Sequence, residues 1–423
     1  MIFHCTSDIH GVLFAAKERG CMAKLASYFE VSRNQEDITV DCGDLLQGSY
    51  DANSTQGDLI VRAFNLLNYD FFVPGNHDLE FGAASLRRNL EKMNATVLCA
   101  NFKFKTPLAK MKPYVVIERK NMRIGIIGTG ERESRTRMLY DDSMIFMNEE
   151  KVIAECLRDL RREKVDMIVL VRHGGIYFSG GSLFDMLKKF PEIDLVIGGH
   201  SHKLERGRKI AGAYYVQPGA YCEGVIQVKV DFDDRTRKIR RITSDYHLLA
   251  KYENSRAFTE KLSVDRGFYR AAYRRIPHDL PYKFTNIRQV QKYLIEKYIP
   301  QKVNADAYLF FIDESNYKWR GSLNKYLLFR MFPFENNVVT LDVNAAEYGK
   351  IVDECRKYSQ KYKVEMFFKP SNKKYLKLCT TSFVLSGGGR NFSVSRKIAE
   401  KNRHNQIQYQ SVRKIVQDSL GGE

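Results

Sequence analysis

Residues 2–11 read IFHCTSDIHG, an apolar run that ends in an Asp-x-His pair and a glycine. Four more motifs of this kind follow, each directly after an apolar run that is predicted to be a strand. In chain order they are Gly43-Asp44 after 38–42, Gly75-Asn76-His77-Asp78 after 71–74, His173-Gly174 after 166–171, and Gly198-Gly199-His200-Ser201-His202 after 194–198. Ligands of an open α/β sheet gather at the carboxyl ends of its strands. The five motifs are therefore predicted to meet at one edge of an α/β fold.

Amphipathic stretches between the apolar runs support this fold class. Helices are predicted over 16–30, 57–68, 82–93, 149–163 and 182–189, and further strands over 96–99, 115–118, 123–128, 214–217, 225–231 and 239–246. The repeated strand–helix–strand order predicts largely parallel pairing. The last two strands have no helix between them, which indicates an antiparallel extension or a second sheet.

A change of composition near residue 250 predicts the domain organisation. Residues 1–250 are predicted to form the catalytic domain, and the Arg- and Tyr-rich segment 251–283 a linker or hinge. Residues 284–423 are predicted to form a smaller α/β domain. It would hold a helix over 286–300, strands over 306–312 and 337–343, and a polar helix near 393–419. A length of 423 residues is enough for two or three domains.

The net charge of +18 is concentrated in the second part of the chain. Residues 251–423 hold 32 Lys and Arg against 17 Asp and Glu, whereas residues 1–250 hold 36 against 33. A basic domain attracts phosphate-rich partners such as nucleotides, nucleic acid or anionic lipid. The same charge also fits a basic surface that serves only solubility.

The cysteines and the hydropathy pattern predict the compartment. Eight cysteines are scattered singly without a CxxC pair, which is typical of free thiols in a reducing environment. No apolar stretch is long enough to cross a membrane, and the N-terminus lacks the pattern of a signal peptide. The sequence therefore predicts a cytoplasmic protein.

The converging side chains predict a metal centre. Without a cation, clustered carboxylates would repel each other and the imidazoles would remain partly unsatisfied. A mixed nitrogen and oxygen set suits Zn²⁺, Mn²⁺, Fe²⁺ or Co²⁺, whereas purely structural sites are closed and rich in thiolates. Asp8 and His10 lie two residues apart and can face the same side of an extended segment, as can His200 and His202. Each pair can thus chelate one ion.

These motifs resemble those of the calcineurin-like metallophosphoesterases, and within them the bacterial 5′-nucleotidase and 2′,3′-cyclic phosphodiesterase family. The family pattern D-x-H, G-D, G-N-H-[DE], H and G-H-x-H is present in order, and the surrounding words DCGDLLQG at 41–48 and GNHDLEFG at 75–82 match as well. The resemblance covers about residues 1–250. It implies a four-layer αββα metallophosphoesterase sandwich followed by a smaller α/β C-terminal domain.

The resemblance also implies a role for each motif residue. Asp44 would bridge two divalent ions, with Mn, Zn, Fe, Co or Mg as candidates, and a hydroxide between the ions would attack phosphorus. His77 would contact the phosphate and stabilise its transition state, and Glu80 would orient His77. The ligands of the first ion would be Asp8, His10, Asp44 and His202, and those of the second Asp44, Asn76, His173 and His200. Asn76 would also contact the substrate.

Two further segments resemble the nucleotide-binding domain of the same family, namely PFEN at 333–336 and SFVLSGG at 382–388. The resemblance implies that Phe334 and Phe383 clamp a nucleobase and that Asn336 hydrogen-bonds the base edge or the ribose. It further implies that this domain swings to bring the substrate to the metals. If the rings are not a clamp, they are ordinary core aromatics.

Some positions depart from the family pattern. Ser315 stands where the family has a phosphate-gripping arginine, with Lys318 and Arg320 as possible substitutes. Gly389, followed by Arg390, stands where the family has an acidic ribose-binding residue. The predicted function is a 5′-nucleotidase-like nucleotide phosphatase. The alternatives are a cyclic-nucleotide or other phosphodiesterase, and a basic nucleic-acid-binding protein with a vestigial metal site.

Overall fold

The computed structural model describes residues 1–131, 143–178, 181–278, 280, 284–312, 318–388 and 391–421. They belong to two compact units, Met1–Ser263 and Val264–Glu423. The unit boundary falls inside the segment 251–283 that the sequence predicts as a linker. Phe258 and Leu262 are buried within the first unit, and the helix Arg266–Tyr273 belongs to the second.

The first unit alternates strands and helices for most of its length. Its strands are β1 (Ile2–Thr6), β2 (Ile38–Asp41), β3 (Phe71–Phe72), β4 (Thr96–Leu98), β5 (Phe102–Phe104), β6 (Met111–Lys112), β7 (Tyr114–Arg119), β8 (Met122–Thr129), β9 (Met144–Phe146), β10 (Met167–Arg172), β11 (Tyr177–Phe178), β12 (Gly181–Ser182), β13 (Leu195–Gly198), β14 (Leu204–Ile210), β15 (Ala213–Pro218), β16 (Gly224–Asp233) and β17 (Lys238–Leu248). Its helices are α1 (Met22–Ser32), α2 (Tyr50–Ser54), α3 (Asp58–Leu67), α4 (Ala83–Lys92), α5 (Glu149–Arg162), α6 (Leu183–Lys189) and α7 (Arg256–Leu262).

Two sheets form the centre of this unit. One has the order β17-β16-β1-β2-β3-β4-β6 and the other β14-β15-β13-β10-β8-β7. In the first, β1, β2, β3, β4 and β6 are parallel, and the hairpin β16–β17 adds the antiparallel extension. In the second, β8, β10, β13 and β15 are parallel, with an antiparallel strand at each end.

Apolar residues of both sheets share one core, which makes the unit a sandwich. Phe3 and Val40 of the first sheet pack in the same cluster as Ile124 and Val169 of the second. Helices cover the outer faces. Phe64 of α3 contacts Phe72 of β3, and Leu157 of α5 packs in a cluster with strand residues of the second sheet. The predicted four-layer αββα architecture is therefore confirmed.

The second unit is a smaller α/β structure. Its elements are α8 (Arg266–Tyr273), β18 (Arg275–Ile276), α9 (Ile287–Lys302), β19 (Ala307–Ile312), β20 (Leu323–Asn324), α10 (Lys325–Met331), β21 (Asn337–Asn344), α11 (Ala345–Tyr362), β22 (Glu365–Lys369), β23 (Tyr375–Thr381), α12 (Ser382–Leu385), α13 (Ser393–Lys401), β24 (Gln406–Ser411) and α14 (Val412–Ser419). Five strands pair in the order β22-β19-β23-β21-β24. Apolar residues of α9 and α14, such as Leu294 and Ile415, pack in its core.

Two predicted helices are wrong in part. The polar helix near 393–419 is interrupted by β24, whose residues pair with β21 across the sheet. The helix over 16–30 begins only at Met22. Gly20 precedes it in a tight packing position, where a Cβ atom would lie 1.9 Å from the carbonyl oxygen of Cys222. The chain therefore turns there and starts its helix afterwards.

Candidate metal centre

Five strand ends bring the predicted ligands to one edge of the sandwich. Asp8 and His10 follow β1, Asp44 follows β2 and Asn76 follows β3, three neighbouring parallel strands of the first sheet. His173 follows β10, and the pair His200 and His202 follows β13, two neighbouring parallel strands of the second sheet.

The ligands form two groups of three. Asp8, His10 and His202 form the first, and Asp44, His173 and His200 form the second. Within each group, one potential ligand atom from every residue lies within 4.8 Å of the others. Each group thus provides nitrogen and oxygen atoms at a spacing that a single cation could bridge.

Backbone carbonyl groups orient two of the imidazoles. His10 Nδ1 lies 2.9 Å from the carbonyl oxygen of Gln47, and His173 Nδ1 lies 2.5 Å from that of Cys42. A carbonyl only accepts, so Nδ1 carries the proton and Nε2 is left as the free donor of an electron pair. This is the usual arrangement around metal-binding histidines. His10 Nε2 faces His202 Nε2 at 3.1 Å.

The Asp44 carboxylate of the second group is held by the backbone and faces His173. Its Oδ1 accepts a hydrogen bond from the backbone N–H of His77 at 2.7 Å. Its buried Oδ2 lies 3.2 Å from His173 Nε2 and makes no well-aligned hydrogen bond within the described residues. A buried carboxylate oxygen left in this way is expected to bind a cation.

Asn76 adds an amide oxygen to the second group. Its Oδ1 lies 2.8 Å from His200 Nδ1 and 3.2 Å from His173 Nε2. All seven side chains predicted as ligands are therefore brought together, and they fit a pair of divalent cations. The mixed set of carboxylate, amide and imidazole ligands admits Zn²⁺, Mn²⁺, Fe²⁺ or Co²⁺.

Burial and neighbouring charges shift the pKa values of the histidines in both groups. Burial lowers the pKa of His10 to about 4 and that of His200 to about 3, so both rings are neutral at physiological pH. Burial acts in the same direction on His173, but the charge of Asp44 outweighs it and raises the His173 pKa to about 10.

The pKa values of the two carboxyl groups, Asp8 and Asp44, are shifted in opposite directions. Burial, assisted by the charge of Asp44, raises the pKa of Asp8 to about 7. Burial opposes ionisation of Asp44 as well, but the positive charge of His173 prevails and holds the Asp44 pKa well below its usual range. The backbone N–H of His200 donates to both Asp8 oxygens at 3.0 Å, which fixes the carboxylate plane.

His77 and Glu80 lie beside the two groups as a connected pair. His77 Nδ1 is 2.6 Å from Glu80 Oε1, and the Glu80 side chain is almost fully buried while that of His77 keeps 17% of its surface exposed. The His77 ring centroid lies 5.3 Å from that of His10. Glu80 therefore orients a histidine that reaches the opening of the site.

Asp78 is a supporting residue whose role the sequence analysis did not identify. Its buried carboxylate accepts four backbone hydrogen bonds, from Asp44 at 3.0 Å, Leu45 at 2.9 Å, Leu46 at 2.8 Å and Gly75 at 2.7 Å. It thereby ties the loop after β2 to the loop after β3. The only signal in the sequence is its place at the end of the GNHD motif.

A buried ion pair supports His173 and was also missed. Arg172 Nε lies 2.8 Å from Glu149 Oε1, and its Nη2 lies 3.1 Å from Glu149 Oε2. Arg172 Nη1 further donates to the carbonyl oxygen of Gly175 at 3.1 Å. Arg172 thus binds Glu149 through two hydrogen bonds and also binds Gly175, which lies beyond His173 in the chain. These bonds fix the segment that carries the ligand. In the sequence, an arginine at the end of an apolar strand does not indicate such an ion pair.

Gly75 shows why glycine accompanies the ligands. A Cβ atom there would lie 2.2 Å from Asp44 Oδ1 and 2.7 Å from His173 Cε1. No side chain could be accommodated without displacing a ligand.

Outside the motifs, the histidine at position 4 has a structural setting. His4 is fully buried, with Nδ1 2.8 Å from the Tyr28 hydroxyl and Nε2 3.3 Å from Asp37 Oδ2. His247, His278 and His404 also lie outside both ligand groups.

In the second unit, the predicted substrate residues lie at one edge of the sheet. Phe334 and Asn336 precede β21, and Phe383 follows β23, its antiparallel partner. The Asn337 N–H donates to Ser382 Oγ at 3.1 Å, which joins the two segments. Phe334 is 47% exposed, whereas the Phe383 ring packs 5.6 Å from Phe392. Asn336 accepts a hydrogen bond from Val412 N–H through its backbone carbonyl.

The positions that depart from the family pattern are only partly described. Ser315, Gly389 and Arg390 lie outside the described residues. The possible substitutes Lys318 and Arg320 are both exposed. Arg413, which the sequence analysis did not single out, forms an ion pair with Glu335 and donates to the Phe332 carbonyl oxygen at 3.0 Å. It holds the segment that carries Phe334.

No helix in the described ranges combines the length and the apolar character that a membrane span requires.

Comparison with known proteins agrees with this geometry. The chain is 29% identical over 181 residues to a 5′-nucleotidase-related protein of Glossina morsitans morsitans, covering 40% of the chain and 31% of the relative. It is 25% identical over 246 residues to the 5′-nucleotidase of Rattus norvegicus, covering 51% and 42%. The chain thus spans less than half the length of these relatives.

Solved structures show the same fold over nearly the whole chain. A 5′-nucleotidase precursor from Thermus thermophilus superposes with a TM-score of 0.74 at 16% identity, covering 99% of the chain and 96% of that structure. A 5′-nucleotidase from Candida albicans gives 0.66 at 16% identity, covering 100% and 98%. The family model described as calcineurin-like phosphoesterase matches residues 1–204, which contain every ligand of both groups. The N-terminal unit is thus similar to the calcineurin-like phosphoesterases over most of its length.

Proposed function

We propose that this chain is a two-metal hydrolase of phosphate esters and that a nucleotide monoester is its substrate. The observation that carries the proposal is the pair of ligand groups at one strand edge, Asp8–His10–His202 and Asp44–His173–His200. The match of residues 1–204 to the calcineurin-like phosphoesterase model and the 5′-nucleotidase names of the relatives support it.

The ligands divide between two cations with Asp44 shared. Asp8, His10 and His202 would hold the first ion with Asp44, and Asn76, His173 and His200 would hold the second. Mn, Zn, Fe, Co and Mg are the candidates, because nitrogen and oxygen ligands do not select one of them. When bound, such a pair polarises phosphoryl oxygens and lowers the pKa of water, which supplies a nucleophile at neutral pH.

The protein side chains supply orientation and a positive charge. Glu80 fixes His77 through Nδ1, so His77 Nε2 can point toward the substrate. A protonated His77 would stabilise the negative charge that develops on the phosphoryl oxygens or the leaving group. Asp78 and the pair Arg172–Glu149 hold the ligand loops and take no direct part in the reaction.

The second part of the proposal is that the substrate is a nucleotide. Phe334 and Phe383 would stack on the base, and Asn336 would hydrogen-bond the base edge or the ribose. Stacking on an aromatic side chain is worth about 1–3 kcal/mol per base. The excess of basic residues over 251–423 favours a substrate that carries phosphate groups.

The experiment compares the purified chain with its Asp44→Asn variant on p-nitrophenyl phosphate, its bis ester and a panel of 5′-nucleotides. Each metal is added in turn. We expect turnover that depends on the metal and falls at least about 100-fold in the variant, because a shared ligand is weakened. Faster hydrolysis of the bis ester or of cyclic nucleotides would favour a phosphodiesterase. Inactivity with every metal, together with salt-sensitive nucleic-acid binding, would favour the binding protein.

We further propose that the chain works in a reducing compartment such as the cytoplasm. All eight cysteines lie within the described residues as buried free thiols. Full activity in the presence of dithiothreitol would agree with this proposal, and location of the native protein outside the cytoplasm would contradict it.

A further inference from the structure

A tyrosine lies at the next strand end beside the metal ligands. Strand β15 pairs in parallel with β13, whose carboxyl end leads to His200 and His202. Tyr221 follows β15 by three residues. It therefore lies at the same edge of the sheet as the two groups of ligands, although no motif of the sequence includes it.

The Tyr221 ring covers the first ligand group. Its centroid lies 5.3 Å from that of His10 with an interplanar angle of 32°, and 5.2 Å from that of His202 with an angle of 84°. Its backbone N–H donates to the carbonyl oxygen of Asp8 at 2.7 Å. Tyr221 thus contacts every residue of this group.

His77 and Tyr221 both flank His10. The His77 ring centroid lies 5.3 Å from that of His10, the same distance as that of Tyr221. His77 is the side chain that we assign to the phosphate. A molecule held by the first group would therefore meet one ring from the loop after β3 and another from the loop after β15.

Tyr221 is exposed although its neighbours are buried. Its relative exposure is 51%, whereas that of Ala220 is 7% and that of Cys222 is 3%. Its hydroxyl forms no hydrogen bond with any of the residues that the structure describes, so its O–H remains available as a donor.

The backbone holds this ring in place at an energetic cost. Tyr221 and Cys222 have φ angles of 54° and 55°, a region that side chains other than glycine rarely adopt. Such strain persists only where the surroundings enforce it, and it clusters at functional sites.

From these observations we propose that Tyr221 contacts the substrate. Its phenol hydroxyl would donate a hydrogen bond to a phosphoryl oxygen of the bound ester, near the ion held by Asp8, His10 and His202. This proposal rests on the proposed function. It assigns Tyr221 to binding of the phosphoryl group and not to recognition of the leaving group.

The test uses the metal-loaded full-length chain and its Tyr221→Phe variant, which keeps the ring and removes only the hydroxyl. We expect KM for p-nitrophenyl phosphate and the Kd for inorganic phosphate to rise together by about 10- to 100-fold, because a hydrogen bond to a charged group is lost. The bound metal and kcat should stay within about twofold of the wild type. Tyr375→Phe, an exposed tyrosine in the second unit, is the matched control and should change neither constant.

The outcomes separate this proposal from the proposed function. Calorimetry with inorganic phosphate needs no turnover, so it measures the Tyr221 contact even if the chain hydrolyses no ester. An unchanged phosphate Kd in Tyr221→Phe, or no phosphate binding by the metal-loaded wild type, would overturn the proposal. So would a KM that rises for nucleotides but not for p-nitrophenyl phosphate, because the ring would then read the leaving group.

Discussion

Most of the predicted metal ligands have a strained backbone conformation. Five of the seven predicted ligands have positive φ angles, namely Asp8 and His10 at 51°, Asp44 at 55°, His200 at 72° and His202 at 58°. A left-handed conformation costs a residue with a side chain roughly 1–2 kcal/mol. The loops are therefore shaped to present these side chains and not for stability.

The strain at His202 can be measured by comparing two substitutions. Both His202→Gly and His202→Ala remove the imidazole, but only glycine adopts a φ of 58° without strain. We expect the glycine variant to be the more stable of the two by about 1 kcal/mol. The free energy of unfolding, measured in urea with a chelator present, tests this. If the alanine variant is equally stable, the conformation at this position is not strained.

At the same scale, the sequence predicts the ligands but not their supports. All seven predicted positions are read from motifs; six of them form the two groups of three, and Asn76 lies beside the second. Asp78 and Arg172 act through backbone amides, carbonyl groups and a distant glutamate. Those partners are created by the fold, so no spacing along the chain reveals them. Tyr221 cannot be recognised from the sequence for the same reason, because its neighbours His10 and His202 lie elsewhere in the chain.

At the scale of the element, apolar runs predict strands well and polar strands poorly. Strands β1, β8 and β10 are buried and lie within one or two residues of their predicted bounds. In contrast, β24 reads QIQYQS, and its sequence predicts part of a helix. Its strand conformation comes from pairing with β21, a contact between residues about 70 positions apart. The local sequence pattern cannot predict a strand whose conformation depends on such a distant partner.

The start of β13 gives a prediction about pH. Asp194 Oδ2 accepts the N–H of Ile168 at 2.9 Å, and burial raises the pKa of Asp194 to about 6. The folded state therefore holds this proton more tightly than the unfolded state. The resulting stability is present below about pH 4, the usual aspartate pKa, and is lost as pH rises through about 6.

Asp194→Asn keeps an acceptor for Ile168 and removes the charge. We expect it to be more stable than the wild type by about 1–2 kcal/mol at pH 8 and equal to it near pH 4. Urea unfolding at both values measures the difference. Asp233→Asn is a control of opposite sign, because the hydrogen bond from Arg240 lowers the pKa of Asp233 to about 2 and its carboxylate favours folding at neutral pH. A pH-independent difference at position 194 would contradict the assignment.

At the scale of the whole molecule, the chain combines a motif-rich unit with a motif-poor one. The family model covers residues 1–204, and every predicted metal-binding residue lies there. The second unit departs from the family pattern at several positions, so the fold that it shares with 5′-nucleotidase structures does not determine its ligand. Fold similarity alone leaves function open, and the substrate must be tested at the residues of this unit.

Phe334 provides the clearest test of that unit. It is 47% exposed, whereas Phe383 packs 6.0 Å from Tyr358 and 5.6 Å from Phe392, where a truncation would also disturb the core. We expect Phe334→Ala to raise KM for 5′-nucleotides by about 5- to 100-fold, the loss of one stacking contact. KM for p-nitrophenyl phosphate should stay the same, because its binding requires only the metal centre. Phe334→Tyr should restore nucleotide binding, and Ile407→Ala, which truncates another exposed apolar residue of this unit, should have no effect. Equal nucleotide KM values for Phe334→Ala and the wild type would mean that this ring does not recognise the base, and the second unit would then need a different ligand.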